Sequence, residues 1–335
     1  MAHFQLVKEL NLRDLGVELA IRQLVFSPDG RYLAAKVDLG IGHTHIVVWD
    51  LHTMARTADI DCHYYYGELD RHVLQFADNG TVTFGDKRHW NAITGAQLPE
   101  LPVRGTWGKF NKDRTKLLIV EDKYFDIYDT SDWREERIYA DGALIKSAAW
   151  TGNDNVLLGI GPSREMLGTT VAGYKVAQGT DVAFRLYDLK ARDFTKTKWF
   201  PSVFTHRVGR DGWFQSYPIG LVNTDFGANA VLLDGFALID GRSLEIHEFE
   251  DPAVLAAGNG AGGGGTAFTA DGHYLFIKDQ QQRNGHHRVR NVVIDVATAK
   301  KVASLPGGDI GIAITPDSRT LAIGNQQSIE LFNIN

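Results

Sequence analysis

The sequence predicts an all-β fold built from seven similar antiparallel units, and three observations support this prediction. Short runs of β-branched and aromatic residues alternate with turn residues along the chain. Seven of these runs end in a large apolar residue followed by Asp or Asn. A tight turn rich in Asp, Asn and Gly precedes each ending. Because one such unit cannot bury both of its faces alone, we expect neighbouring units to stack against one another.

The endings and turns mark the strands of each unit. The endings are Trp49-Asp50, Trp90-Asn91, Tyr128-Asp129, Tyr187-Asp188, Ile239-Asp240, Ile294-Asp295 and Phe332-Asn333. The turns are Ser27-Pro28-Asp29-Gly30, Ala77-Asp78-Asn79-Gly80, Asn111-Lys112-Asp113-Arg114, Gly152-Asn153-Asp154, Asp225-Phe226-Gly227, Ala270-Asp271-Gly272 and Pro316-Asp317-Ser318. Pro fixes φ, Asp accepts backbone hydrogen bonds, and Gly adopts positive φ, so these residues favour reversal of the chain. Each unit is therefore expected to have one strand before its turn and two after it.

Composition limits the class of protein. The chain has 335 residues, a net charge of −6 and a hydrophobic fraction of 44%, which is typical of a globular protein. The acidic balance argues against nucleic acid and against an anionic membrane surface as partners. Cys62 is the only cysteine, which excludes an internal disulfide and a multi-cysteine metal cage. With no signal-like start and no apolar run of about 18 residues, the sequence predicts a cytoplasmic protein.

Three segments resemble one another closely enough to indicate a family. They are Phe26-Ser27-Pro28-Asp29-Gly30-Arg31-Tyr32-Leu33-Ala34, Phe268-Thr269-Ala270-Asp271-Gly272-His273-Tyr274-Leu275 and Ile314-Thr315-Pro316-Asp317-Ser318-Arg319-Thr320-Leu321-Ala322. With Val48-Trp49-Asp50-Leu51, they resemble the WD-repeat family of β-propellers. The resemblance implies a single domain over residues 1–335. It also implies seven four-stranded antiparallel blades, with strands a, b, c and d running from the centre outward.

The two ends of the chain complement each other in this scheme. The seventh unit ends at Asn335, directly after its third strand, and leaves no room for a fourth. Residues 4–10 are strand-like and precede the first unit. We therefore expect the N-terminal strand to complete the blade at residues 309–335 and to close the ring.

Differences in length between the units indicate a binding face. The a–b and c–d turns are short, whereas the long connections lie between strands b and c or between strands d and a. These insertions cover residues 36–44, 161–180 and 278–288 (b–c) and residues 61–71, 200–220 and 250–265 (d–a). In a four-stranded blade of this kind, b–c and d–a connections lie on the same face. Insertions that gather on one face often mark the surface that binds a partner.

Two groups of residues in these insertions are candidate contacts with a protein partner. The aromatic group is Tyr64, Tyr65, Tyr66, Trp213 and Tyr217, and the basic group is His286, His287, Arg288 and Arg290. Exposed aromatic residues anchor protein interfaces and also line sugar-binding grooves. The aromatic group has an alternative role in capping the core, and the basic group in forming a solvated loop tip.

No catalytic or cofactor site is predicted. His43, His45, His63 and His72 share a face, but strand alternation separates neighbouring side chains and no carboxylate partner is indicated, so we predict no metal. The glycine-rich stretch 258–265 has no following lysine or helix, which indicates a connector rather than a phosphate loop. The sequence therefore predicts a non-catalytic scaffold that binds a protein. The alternatives are a lactonase-like hydrolase and a carbohydrate-binding propeller, each acting at the mouth of the central channel.

Overall fold

The computed structural model consists almost entirely of β-strands. It describes residues 4–16, 19–39, 43–62, 74–84, 88–104, 108–171, 173–176, 182–200, 221–222, 230–233, 237–240, 243–248, 266–269, 271–283, 286–306, 311–325 and 327–334. The chain divides into two compact units, one formed by Met1–Trp107 with Asp251–Asn335 and the other by Gly108–Glu250. A single domain over residues 1–335 stays a prediction.

The first unit contains four antiparallel sheets. Its N-terminal strands are β1 (Phe4–Asn11), β2 (Ala20–Phe26), β3 (Tyr32–Asp38), β4 (Thr44–Asp50), β5 (Ala55–Asp61), β6 (Leu74–Phe76), β7 (Thr81–Phe84) and β8 (Arg88–Asn91). Its C-terminal strands are β23 (Thr266–Phe268), β24 (Tyr274–Arg283), β25 (His286–Asp295), β26 (Lys300–Pro306), β27 (Ile312–Ile314), β28 (Thr320–Asn325) and β29 (Ser328–Ile334). A short 3₁₀ turn, Arg13–Leu15, follows β1.

The second unit contains three antiparallel sheets and a two-stranded ribbon. Its strands are β9 (Gly108–Phe110), β10 (Lys116–Val120), β11 (Tyr124–Asp129), β12 (Glu135–Tyr139), β13 (Leu144–Trp150), β14 (Asn155–Gly161), β15 (Thr170–Val171), β16 (Tyr174–Lys175), β17 (Val182–Asp188), β18 (Asp193–Phe200), β19 (Leu221–Val222), β20 (Ala230–Leu233), β21 (Ala237–Asp240) and β22 (Ile246–Glu248). A 3₁₀ turn, Arg164–Met166, lies between β14 and the ribbon of β15 and β16.

The sheets follow the predicted repeat and are numbered here by repeat. Sheet 1 is β2-β3-β4-β5, sheet 2 is β6-β7-β8, sheet 3 is β9-β10-β11-β12 and sheet 4 is β13-β14-β17-β18. Sheet 5 is β19-β20-β21-β22, sheet 6 is β23-β24-β25-β26 and sheet 7 is β27-β28-β29-β1. Consecutive strands pair in each sheet, which is the order expected for strands a to d.

The structure has six four-stranded blades, not the seven predicted, because the second repeat forms three strands within its described residues. After Asn91 the chain makes only an isolated bridge from Gln97 to Trp90. The N–H of Leu98 donates to the carbonyl of His89 at 2.9 Å, and Pro99 follows immediately. Proline lacks the N–H that a strand needs for its ladder, so pairing stops at this point.

The N-terminal strand completes sheet 7, as predicted. β1 pairs antiparallel with β29 from Phe4↔Ile334 to Asn11↔Ser328, with a register shift at Val7. Leu10 and Leu12 are buried in the core between sheets 7 and 1. The outermost strand of sheet 7 is therefore held by a backbone ladder and by apolar packing.

Neighbouring sheets pack through apolar side chains on both sides of sheet 1. Ile21, Leu33 and Val47 of sheet 1 are fully buried in one cluster with residues of sheet 7. Val48 of sheet 1 and Phe76 of sheet 2 are fully buried in another cluster. A comparable cluster joins sheets 3 and 4 in the second unit. Strands buried on both faces explain why the sequence shows continuous apolar runs instead of strict alternation.

The Asp or Asn that ends strand c closes the c–d turn. Its side-chain oxygen accepts a backbone N–H two or three residues later. The backbone N–H groups that donate these bonds, each given with its acceptor side chain, are those of His52 (to Asp50, 2.9 Å), Ile93 and Thr94 (both to Asn91, 2.9 Å each), Ser131 (to Asp129, 3.0 Å), Lys190 (to Asp188, 2.8 Å), Ser243 (to Asp240, 2.7 Å) and Thr298 (to Asp295, 2.8 Å). The repeated acid or amide is therefore a structural residue, because it satisfies turn amides that have no strand partner.

The c–d turns also share one backbone feature. The residue four positions after the Asp or Asn has a positive φ in six repeats. These residues are Met54 (56°), Gly95 (70°), Trp133 (58°), Arg192 (55°), Leu244 (60°) and Ala299 (54°). Only one of the six is glycine, so the other five adopt a left-handed conformation that L-residues disfavour.

Candidate interaction surface

The a–b turns of sheets 1, 6 and 7 are held by one shared hydrogen-bond motif. In sheet 1 the Ser27 hydroxyl donates to Asp29 at 2.5 Å and accepts the N–H of Tyr32 at 2.9 Å. Thr269 with Asp271 and Thr315 with Asp317 repeat this arrangement, at 2.5 Å and 2.6 Å. Because these carboxylates are engaged in closing turns, they are not available for chemistry on a substrate.

In sheets 1, 4 and 6, the residues inserted relative to the basic repeat lie between strands b and c. In sheet 1, β3 and β4 stay paired as far as Asp38↔Thr44. In sheet 6, β24 and β25 pair over ten residues each. In sheet 4, β14 and β17 are separated by the 3₁₀ turn and the ribbon. One of the predicted b–c loops, 278–288, is therefore largely an extended β-hairpin, because its residues continue β24 and β25. In another, 36–44, residues 36–38 and 44 continue β3 and β4.

The insertion of sheet 4 is folded against its own sheet. Val176 is fully buried in the core of the second unit, and Met166 and Val171 pack against that core. The rings of Tyr174 and Trp199 are stacked, with centroids 5.8 Å apart and an interplanar angle of 6°. Backbone bonds from Gly168 N–H to the Val176 carbonyl (2.8 Å) and from Val176 N–H to the Thr169 carbonyl (3.0 Å) close the segment. One side of the insertion therefore packs on the core, whereas the Leu167 side chain is 42% exposed.

An open groove of about 450 Å³ lies beside the outer strands of sheets 3 and 4. Its lining residues are Glu136, Arg137, Ile138, Tyr139, Asp141, Tyr187, Arg192, Asp193 and Phe194. Acidic, basic and aromatic side chains alternate around it, and Tyr139 is 62% exposed. A shallow polar groove of this kind suits contact with a chain of another protein better than enclosure of a small substrate.

Ion pairs across this groove connect the two sheets. Arg185 Nη2 lies 2.8 Å from Asp141 Oδ2, and the Arg185 guanidinium lies 3.7 Å from the centroid of the Phe194 ring. Arg192 Nη2 lies 3.0 Å from Glu136 Oε2, but both side chains are exposed, so this pair stabilises the fold little. Burial raises the pKa of Tyr187 above its ordinary value.

A further ion pair, between Arg137 and Asp126, lies within sheet 3. Arg137 donates two hydrogen bonds to the buried Asp126, at 2.8 Å and 2.9 Å, and its guanidinium lies 4.0 Å from the centroid of the Tyr124 ring. The hydrogen bonds to Asp126 raise the pKa of Arg137 further above its usual value. This bidentate pair is fixed in place, so Arg137 contributes a rigid wall to the groove.

The predicted contact residues fall in two different parts of the chain. Tyr64, Tyr65, Tyr66, Trp213 and Tyr217 lie outside the described residues. His286, His287, Arg288 and Arg290 lie in strand β25, where their backbone partners are Arg283, Gln282, Gln281 and Asp279, respectively. The structure thus brings the basic group into one hairpin and leaves the aromatic group untested.

The histidine and cysteine positions show no reactive arrangement within the described residues. His45 Nδ1 lies 2.7 Å from Asp59 Oδ1, whereas His63 and His72 lie outside the described part of the chain. No group of three His, Cys, Asp or Glu residues that could hold a metal ion occurs in that part. Burial raises the pKa of Cys62 to about 12, so its thiol stays protonated.

Sequence reasoning missed the groove residues Tyr139, Asp141 and Arg192, and it missed Arg185, which pairs with Asp141. Glu136 and Arg192 are 56 positions apart and belong to different repeats. Each residue alone resembles an ordinary surface residue of an outer strand or turn, and only the stacking of sheets 3 and 4 brings them together.

Comparisons with known proteins support the fold. No protein-family model and no curated protein matches the chain. A solved structure of Kuenenia stuttgartiensis hydrazine synthase is similar with a TM-score of 0.58 at 13% identity, covering 94% of this chain and 95% of that chain. The β-propeller domain of Cps50 (Swd1) from Myceliophteria thermophila is similar with a TM-score of 0.55 at 14% identity, covering 100% of both chains. Identities this low show the fold alone, and the chain has an all-β propeller fold with four-stranded antiparallel sheets.

Proposed function

We propose that this protein is a non-catalytic scaffold of the WD-repeat type that binds a protein partner through the b–c ends of its blades. The observation that carries the proposal is where the chain departs from its repeat. The c–d turns are closed by the same short hydrogen-bonded motif in both units, and the a–b turns of three repeats share another. The additional strands and turns belong to b–c connections. Repeats that vary at one end only are typical of binding scaffolds.

The chemistry of these ends also supports a protein partner. In the sheet 4 insertion, Val176 and Tyr174 pack against the sheet, while the apolar side chain of Leu167 is exposed. Arg164, Glu165 and Lys175 of the same insertion are exposed. An apolar centre with a charged surround is the usual arrangement of a protein-binding patch. The buried free thiol of Cys62 suits a reducing compartment, and we include a cytoplasmic location in the proposal.

The test is affinity capture from native extract with three forms of the protein: wild type, a b–c variant and a control variant. The b–c variant carries Arg164→Ala, Leu167→Ser and Lys175→Ala, which leave Val176 and Tyr174 in place. The control variant carries Lys112→Ala and Ile93→Ser at exposed residues of an a–b and a c–d turn.

We expect the b–c variant to lose the captured partner while its melting temperature stays that of wild type. The control variant should retain the partner. Retention by both variants, or loss by the control variant alone, would contradict binding through the b–c end of sheet 4.

A further inference from the structure

The hairpin of β24 and β25 in sheet 6 extends beyond the strands on either side of it. β23 pairs with β24 only from Leu275 to Ile277, and the pairing of β26 with β25 ends at Arg290↔Pro306. β24 and β25 continue to pair with each other as far as Arg283↔His286. Among the described strands, the outer part of this hairpin is therefore a two-stranded projection, roughly 20 Å long at the usual rise per residue. We call residues 278–283 and 286–290 the basic arm, of which only Arg290 also pairs with β26.

The residue types change where the basic arm begins. The inner residues of the hairpin are apolar and at most 1% exposed: Leu275, Phe276, Ile277, Val292, Val293 and Ile294. The basic arm contains Val289 as its only apolar residue. A strand pair normally buries one apolar face, and a two-stranded hairpin alone is only marginally stable in water. The sequence of the arm therefore offers no apolar face of the kind that the inner part of the hairpin buries.

The charge of the basic arm is opposite to that of the whole chain. The arm has four basic residues, Lys278, Arg283, Arg288 and Arg290, against one acidic residue, Asp279. The whole chain has a net charge of −6. The antiparallel register places Arg283 and His286 opposite each other, with Gln281 opposite Arg288. Positive charge is thus present on both strands of one narrow hairpin.

We propose that the basic arm binds an extended acidic segment of a protein partner, an inference that rests on the scaffold function proposed above. A strand edge offers backbone N–H and C=O groups to an extended segment, and the basic residues select acidic side chains. A short acidic segment senses mainly the local charge of the arm, because the Debye length at physiological salt is about 8 Å. A nucleic acid, with one charge per roughly 1.7 Å, would experience more repulsion from the acidic remainder of the chain.

The experiment measures binding of defined peptides to the full-length protein by fluorescence anisotropy at low and at physiological salt. The first probe alternates glutamate with threonine over about 12 residues, enough to cover the arm. A second probe replaces each glutamate with glutamine. The test variant is Arg283→Glu with Arg288→Glu, the conservative variant is Arg283→Lys with Arg288→Lys, and the control variant is Lys112→Glu with Lys301→Glu, both exposed positions outside the arm.

We expect the glutamate peptide to bind wild type, the conservative variant and the control variant, and to bind the charge-reversed variant at least about tenfold more weakly. The glutamine peptide should bind wild type about tenfold more weakly than the glutamate peptide. Circular dichroism and the melting temperature of the charge-reversed variant should match those of wild type, since the sequence of the arm offers no apolar face to a core.

Four binding results would overturn the proposal. They are no binding of the glutamate peptide at about 1 mM, equal binding of the two peptides, equal loss in the control variant, and tighter binding of a DNA duplex than of the glutamate peptide. Sedimentation would identify a second copy of the chain as the occupant if wild type were dimeric and the charge-reversed variant monomeric, which would also overturn it. Failure here leaves the capture test of the sheet 4 insertion unaffected, so the two proposals fail separately.

Discussion

At the scale of single residues, the repeated Asp or Asn after strand c determines the geometry of the turn. Its side-chain oxygen accepts turn amides, and the residue four positions later takes a positive φ. Asn91 performs the same role as Asp50 and Asp129, which shows that the turn needs an acceptor oxygen and not a charge. The repeat of carboxylates along the sequence is therefore a property of the fold rather than a catalytic signal.

Substitutions at two equivalent turn positions should change stability in opposite directions. Met54 has φ 56° and Gly95 has φ 70° in corresponding c–d turns. Met54→Gly relieves a left-handed conformation that costs an L-residue about 1–2 kcal/mol, partly offset by greater freedom of the unfolded chain. We expect it to raise the free energy of unfolding by about 0.5 kcal/mol, and Gly95→Val to lower it by about 1–2 kcal/mol. Urea titration measures both, and a change of the same sign in both variants would contradict the prediction.

The contribution of Asp129 to the free energy of unfolding should change with pH in the acid range. The Ser131 hydroxyl and N–H, with Lys116 nearby, lower the pKa of Asp129 from 3.8 to about 2. Because the folded-state pKa is lower than the unfolded value, this stabilisation is complete above about pH 4 and is lost as the pH falls through about 2. With allowance for solvent screening, we expect Asp129→Asn to cost about 1 kcal/mol at neutral pH.

Urea unfolding of wild type and Asp129→Asn over a series of acid pH values tests this expectation. The difference in unfolding free energy between the two proteins should shrink as the pH approaches the folded-state pKa. A difference that is independent of pH would show that the charge of Asp129 contributes nothing.

At the scale of elements, close packing of inner strands joins sheet 7 to sheet 1. A Cβ added at Gly324 would lie 3.0 Å from Cβ and Cγ2 of the fully buried Ile21, and one added at Gly311 would lie 3.0 Å from Ile21 Cγ2 and from Leu24 Cγ. The Gly311 N–H donates to the Ile21 carbonyl at 2.9 Å. Neither glycine has a positive φ, so it is close approach between the strands that requires glycine here.

Gly324→Ala should therefore destabilise the protein by overpacking. We expect a loss of about 1–3 kcal/mol in the free energy of unfolding. Ile21→Ala alone should cost about 2–5 kcal/mol by leaving a cavity. The double variant should lose less than the sum of the two, because the Ile21 side chain is the group that the new methyl contacts. Additive losses in chemical denaturation would contradict a direct contact.

At the scale of the whole molecule, the N-terminal strand covers an edge that would otherwise be open. β1 pairs along β29, and Leu10 and Leu12 enter the core. Removal of residues 1–11 should expose the backbone ladder of β29 and should cause self-association with a lower melting temperature. Size-exclusion chromatography with light scattering measures the association. The control variant Lys8→Ala with Glu9→Ala changes only exposed residues of β1 and should remain as wild type.

A truncated protein that stays monomeric and melts at the wild-type temperature would show that β1 is not needed to protect this edge. Association of the control variant as well would assign the effect to the charges of β1 instead of its backbone.

Features that depend on neighbouring residues agree with the prediction, whereas the second repeat and the long b–c segments differ from it. The endings such as Trp49-Asp50, the tight turns and the pairing of the two chain ends follow from the sequence, because strand period, turn chemistry and the strand count are local properties. The fourth strand of the second repeat was predicted by analogy with the other repeats, and Pro99 interrupts it. The long b–c segments were predicted as loops, but continued cross-strand pairing in β24–β25 makes one of them a hairpin.

The repeat, the residues that close each turn, and the b–c segments in which this chain departs from regularity can all be identified in the amino-acid sequence. The folded structure is needed to see that Glu136 and Arg192 share a groove, that Val176 anchors the sheet 4 insertion, and that Ile21 meets Gly311 and Gly324. The physical reason is distance along the chain. Turn closure and strand pairing within a repeat depend on neighbouring residues, whereas a surface between repeats depends on how one sheet stacks on the next.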